Sequence, residues 1–130
     1  LSARAELEER ITQVLRNAGA RFAFVHGSRA LDATPEPNWH RDLDVGAWWG
    51  EQHPPAPWEL SLPDGVDLLV LDDAPLELAG RVSLSGRLLF DDDPPARVRW
   101  QAQTRLVYLD EEPRQRELDR LYLSTRAHGR

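Results

Sequence analysis

The sequence predicts an α/β domain, a small sheet flanked by helices with a C-terminal helical segment, and three observations carry that prediction. An amphipathic helical pattern over residues 2–19 comes first. Four short runs of strand character follow, at about 21–26, 42–49, 66–71 and 87–90, with a helix at 75–84 before the last. From about 96 to 127 the chain is helical in character. A chain of 130 residues is read as a single domain, 1–130, and one of this size buries roughly two-thirds of its unfolded surface.

In the first helix Ala3, Leu7, Ile11, Val14, Leu15 and Ala18 recur at helical spacing with Glu and Arg between them. Ser2 caps its start and Gly19 its end. The first strand alternates, Phe22 and Phe24 on one face and Ala23 and Val25 on the other. It runs straight into Gly27-Ser28-Arg29, where Ser28 opens a short helix through Ala30, Leu31 and Asp32. A strand, a Gly-Ser turn and a helix N-terminus form an anion site, because free backbone N–H groups and the helix dipole both favour phosphate. Gly-Ser turns are common, so this signal alone is weak.

Residues 33–41 contain Pro35, Pro37 and Asn38 and read as a loop with Trp39 and His40 at its far end. The second strand puts Asp42, Asp44, Gly46 and Trp48 on one face and Leu43, Val45, Ala47 and Trp49, plausible core, on the other. Two acids side by side on one face repel unless a cation sits between them. Residues 50–64 are Pro-rich and too interrupted for regular structure, with the length of a flap or partner-binding loop. In the third strand Val66, Leu68 and Val70 share a face, and Asp67 interrupts the apolar run.

Asp72 and Asp73 read as turn or helix-cap residues before Pro75, and Gly86 ends the helix at 75–84. The triplet Asp91-Asp92-Asp93 invites a metal reading, but Asp before Pro94-Pro95 is turn and N-cap composition. In the tail, Val98, Ala102, Leu106 and Leu109 make one apolar stripe and Leu118, Leu121 and Tyr122 a second, with Pro113 dividing or kinking the helix. Arg97, Arg99, Arg105, Arg114, Arg116 and Arg120 line its polar faces, read as solvated surface ahead of a partner interface.

Composition narrows the function classes. There is no cysteine, so disulfide frameworks and thiolate metal sites are excluded. A formal charge of −6 argues against broad nucleic-acid binding. No apolar run reaches the ~20 residues of a membrane span, and no secretory leader is recognisable, so a cytoplasmic location is the expectation. All 16 basic residues are Arg, so any phosphate clamp is a guanidinium or a backbone N–H.

The chemistry turns on Asp42, Asp44 and Asp67. Residues two apart on a strand lie ~6.5–7 Å apart at Cα and project the same way. Two divalent ions ~3.5–4 Å apart fit between such carboxylates, with a third acid from a neighbouring strand completing the site. Mg²⁺ suits the oxygen donors and keeps positions open for water and phosphates. The order Gly-Ser, Asp-x-Asp, strand-borne Asp is a more specific signal than any one part.

Those residues, GSR then RDLDV then VDLLVL, resemble the nucleotidyltransferase superfamily typified by DNA polymerase β, whose pattern is a Gly-[Gly/Ser] turn, a spacer, two alternating acids and a later acid. The short form most resembles the minimal nucleotidyltransferases (MNT), antitoxins beside HEPN-domain toxins, and the likeness covers nearly the whole chain, GRLLFDDDP and Tyr108-Leu109-Asp110 included. The resemblance implies the polymerase β-like fold with a small mixed sheet. It implies that Gly27 and Ser28 hold the terminal phosphates of ATP, that Asp42 and Asp44 ligate two Mg²⁺ ions, and that Asp67 ligates one ion and takes the proton of the attacking hydroxyl. Arg29 is read equally as a phosphate or base contact and as a surface residue. The implied reaction is transfer of AMP to a tyrosine of a HEPN toxin, within a hetero-oligomer. The chain departs from the family in the 15 positions from Gly27 to Asp42, in Leu31 and Asp32 where Arg and Gly are frequent, and in Arg41 where Ser is.

A binding module of a different class, an antitoxin that masks its toxin with a vestigial nucleotide site, is the alternative. An antibiotic nucleotidyltransferase would need a further helical domain for its acceptor. Three acids solvated by chance is the plain structural reading. His26, His40 and His53 are assigned no role.

Overall fold

The computed structural model describes residues 2–27, 43–50 and 53–128. In chain order the elements are α1 (Ala3–Asn17), β1 (Phe22–His26), β2 (Leu43–Trp48), a 3-10 turn (Pro57–Glu59), β3 (Val66–Val70), a second 3-10 turn (Leu71–Asp73), α2 (Leu76–Ser85), β4 (Arg87–Asp91) and α3 (Pro94–His128). The strands form one mixed sheet in the order β3-β2-β1-β4. β2 and β3 run parallel, while β1 pairs antiparallel with both β2 and β4.

The period of two in the strands sends alternate side chains to two cores. On one face Ala23, Val25, Leu43, Val45, Ala47 and Trp49 pack with Ile11 and Leu15 of α1, joined by Leu60 and Leu62 from the segment between β2 and β3. On the other face Phe22, Phe24, Leu71 and Val82 pack with Trp48, Leu69 and Trp100. Here the Phe22 ring stacks on Trp48 at 5.1 Å, and Trp100 of α3 lies 5.8 Å from both phenylalanine rings. Gly46 leaves this face room for Leu71, whose Cδ2 would lie 2.9 Å from a Cβ at position 46.

Local chemistry fixes the element ends. Ser2 Oγ accepts from the Ala5 N–H at 3.0 Å, capping α1, and Gly19 (φ 95°) turns the chain out of it. The acidic triplet is structural: Asp91 accepts from Arg97 Nε at 2.9 Å, Asp92 from Arg16 Nε at 2.8 Å, and Asp93 from Arg21 Nη1 at 2.8 Å. Asp93 also accepts from the Ala96 N–H at 3.3 Å, which caps α3.

One expectation is corrected. Pro113 does not divide the tail, since α3 runs as one helix of 35 residues. Proline removes one bond from a ladder this long, and the turns on either side continue. The stripe Val98, Ala102, Leu106, Leu109 is turned outward. Val98 is 53% exposed, Leu106 72% and Leu109 51%. α3 docks instead through Trp100, through Tyr108, which lies directly on Gly80 of α2, and through Gln101 and Arg105. The side chains of Gln101 and Arg105 both donate to the carbonyl of buried Ser83, at 3.1 and 2.7 Å.

Candidate active site

Three of the candidate polar residues gather at one end of the sheet. Register pairs His26 of β1 with Asp44 of β2, and Asp44 with Asp67 of β3. Each lies two residues from a member of the aromatic core, His26 from Phe24, Asp44 from Gly46 and Asp67 from Leu69, so all three share the face packed by α2 and α3. They form a polar row across three strands, neighbouring strands being ~4.8 Å apart. Behind it the same face turns apolar.

The Asp44–Asp67 pairing is held from the backbone. The Leu43 N–H donates to the Gly65 carbonyl at 2.6 Å, tying the starts of β2 and β3 together. At the other end of β2, Asp72 accepts from the Trp49 N–H at 3.0 Å and from the Gly50 N–H at 2.7 Å. Asp72 was expected to be a turn or cap residue before Pro75. It lies in the 3-10 turn Leu71–Asp73 and does not cap α2, and its carboxylate satisfies the donors left where β2 leaves the sheet.

Gly27 follows β1 directly with φ +83°. A Cβ there would lie 2.8 Å from Oδ2 of Asp44, so the carboxylate rests on the bare Cα of the turn. The Gly turn and the second acid of the Asp-x-Asp pair are thereby one unit. Asp44 is half-buried and Asp67 exposed.

His26 was given no role from sequence, and only the register reveals its place in the row. It is half-buried, and its Nε2 is buried without a hydrogen-bond partner. Burial pushes its pKa below the ordinary 6.5, opposed by the charge of Asp44. A neutral imidazole therefore sits beside the carboxylates.

Of the six site residues read from sequence, Gly27, Asp44 and Asp67 are brought together here. Ser28, Arg29 and Asp42 lie outside the described residues. Among the described residues no group of three His, Asp or Glu is placed to hold a metal ion. Asp44 and Asp67 supply two adjacent oxygen donors, the donor type that a hard cation takes.

No protein-family model matches the chain, and no curated protein does. Solved structures do match. A chain of the toxin–antitoxin MntA–HepT superposes with TM-score 0.67 and 20% identity, covering 91% of this chain and 98% of that one. The fold is the polymerase β-like nucleotidyltransferase fold. A toxin–antitoxin structure with AMP-PNP gives TM-score 0.69 at 22% identity, over 88% of this chain and 98% of that one. A chain of the tri-AMPylated Shewanella oneidensis HEPN toxin in complex with MNT antitoxin gives 0.68 at 21%, over 92% and 98%.

Proposed function

We propose that this chain is a minimal nucleotidyltransferase that acts as an antitoxin, transferring AMP from ATP to a tyrosine hydroxyl of a HEPN-domain toxin within a cytoplasmic hetero-oligomer. The observation that carries the reading is the register pairing of Asp44 with Asp67 beside Gly27. The similar solved structures support it, one holding AMP-PNP and another an AMPylated HEPN toxin. Among the described residues no helix is long and apolar enough to cross a membrane. The whole chain, 1–130, is one nucleotidyltransferase domain in this reading.

Asp44 and Asp67, with Asp42 from the strand pattern, would hold Mg²⁺, two ions for three carboxylates. Bound there, the metal supplies charge stabilisation to the attacking and leaving oxygens. The chain's own contributions are positional. Gly27 leaves the backbone of the turn open to phosphate while seating the Asp44 carboxylate, and Ser28, next in sequence, is the hydroxyl assigned to the same anion. Arg29 is the nearest guanidinium in sequence for the phosphates or the base. Asp67, exposed at the sheet end, takes the proton as the hydroxyl oxygen bonds to the α-phosphorus and pyrophosphate leaves.

The second reading, a non-catalytic antitoxin that neutralises by contact, draws on the departures in sequence from the family, Leu31, Asp32 and Arg41 in the spacer among them. Labelled ATP, Mg²⁺ and the protein encoded beside this one separate the two. Label transfer abolished by Asp67→Asn supports the enzyme. Neutralisation that persists in Asp44→Asn and Asp67→Asn without any label transfer supports the module.

A further inference from the structure

The outward stripe of α3 is exposed, and no contact with another described element covers it. At ~100° per residue, Val98, Ala102, Leu106 and Leu109 fall within an arc of about 80°. Trp100 and Tyr108, which dock α3, lie on the other side of the helix. Val98, Leu106 and Leu109 are each more than half exposed and Ala102 is exposed, so the stripe faces away from the sheet. The stripe is turned outward, while Trp100, Tyr108, Gln101 and Arg105 make the inner contacts.

The order of residues along the stripe is self-complementary. Rotated about a two-fold axis level with position 104, a second α3 runs antiparallel and sets Ala102 opposite Leu106 twice, small against large, and Val98 beside Leu109 twice. On one flank of the stripe stand Arg99 and Asp110, about 20° apart around the helix. The same rotation keeps that flank in register and brings Arg99 of one copy within one residue, about 1.5 Å of rise, of the level of Asp110 of the other, which long side chains span in two opposite-charge contacts.

We infer that the outward face of α3, Val98, Ala102, Leu106 and Leu109 flanked by Arg99 and Asp110, is an antiparallel homodimer interface whose occupant is a second copy of this chain. The inference stands apart from the reading of the sheet-end site, since it uses no residue of that site.

Sedimentation velocity of the full chain alone, across micromolar concentrations, tests it. The expected result is a reversible dimer that Leu106→Glu converts to monomer with unchanged far-ultraviolet circular dichroism, the side chain being exposed. Arg99→Asp weakens the dimer about tenfold or more, and Arg99→Asp with Asp110→Arg restores it. A chain that stays monomeric, a dimer indifferent to Leu106→Glu, or a charge swap that fails to restore association overturns the inference. So does a stripe that crosslinks only to the protein encoded next door.

Discussion

Gly27 and Asp44 touch: a side chain at position 27 would start 2.8 Å from the Asp44 carboxylate oxygen, in a turn whose φ of +83° an L side chain rarely adopts. Two sequence features separated by 15 or more positions are thus coupled through one contact. Gly27→Ala is expected to cost about 1–3 kcal/mol from backbone strain and to push the Asp44 carboxylate aside. Displacing a catalytic group by about 1 Å costs on the order of 100-fold in rate. Urea unfolding and label transfer read the two effects separately.

Asp44 and Asp67 stand side by side on parallel strands. Like charges so placed repel, so without metal both Asp44→Asn and Asp67→Asn should melt slightly above the parent chain. Mg²⁺ should raise the melting temperature of the parent by binding only the folded state, and chelation should reverse the rise. Neither variant should respond to Mg²⁺. Thermal scans with and without metal are the check, and a parent chain indifferent to Mg²⁺ contradicts the assignment.

Asp72 holds the exit of β2 through the N–H groups of Trp49 and Gly50. Asp72→Ala leaves both donors without this acceptor and should destabilise by about 1–3 kcal/mol. Because Asp72 lies at the far end of β2 from Asp44, label transfer below the new melting transition should fall far less than in Asp67→Asn. Chemical denaturation alongside the transfer assay distinguishes the two roles.

The lowered pKa of His26 sets a pH dependence. Folding holds the imidazole neutral, so the unfolded chain binds the proton first as pH falls through the ordinary 6.5. Stability is full above that value and declines as pH drops through the lower folded pKa. His26→Gln should flatten this part of the profile, which melting temperatures between neutral and mildly acidic pH will show.

Much of the site was legible because strands alternate. The periods of RFAFVH, DLDVGAWW and VDLLVL told which side chains share a face, and the structure puts Ala23, Val25, Leu43 and Val45 together in one core and Phe22, Phe24 and Trp48 in the other. Strand order was not legible, so the row His26, Asp44, Asp67 could not be seen before the register was known. Periodicity located the stripe on α3 but carries no sign: it marks an apolar face without saying whether that face turns inward. The inner face is chosen by shape and hydrogen bonding, with Gly80 admitting Tyr108 and the Ser83 carbonyl accepting from Gln101 and Arg105. Asp72 escaped notice because its bonds go to residues 22 and 23 positions earlier, which no local pattern reports.

Nucleotide transfer is the activity proposed for the paired carboxylates beside Gly27. Its most direct test is incubation with ATP labelled at the α-phosphate, Mg²⁺ and the protein encoded beside this chain, followed by mass spectrometry of that protein. AMP is expected on a tyrosine of the neighbouring protein, absent with chelator, with Asp44→Asn and with Asp67→Asn. Neutralisation of the neighbour with no adduct on it, or an adduct that persists in both variants, would contradict it.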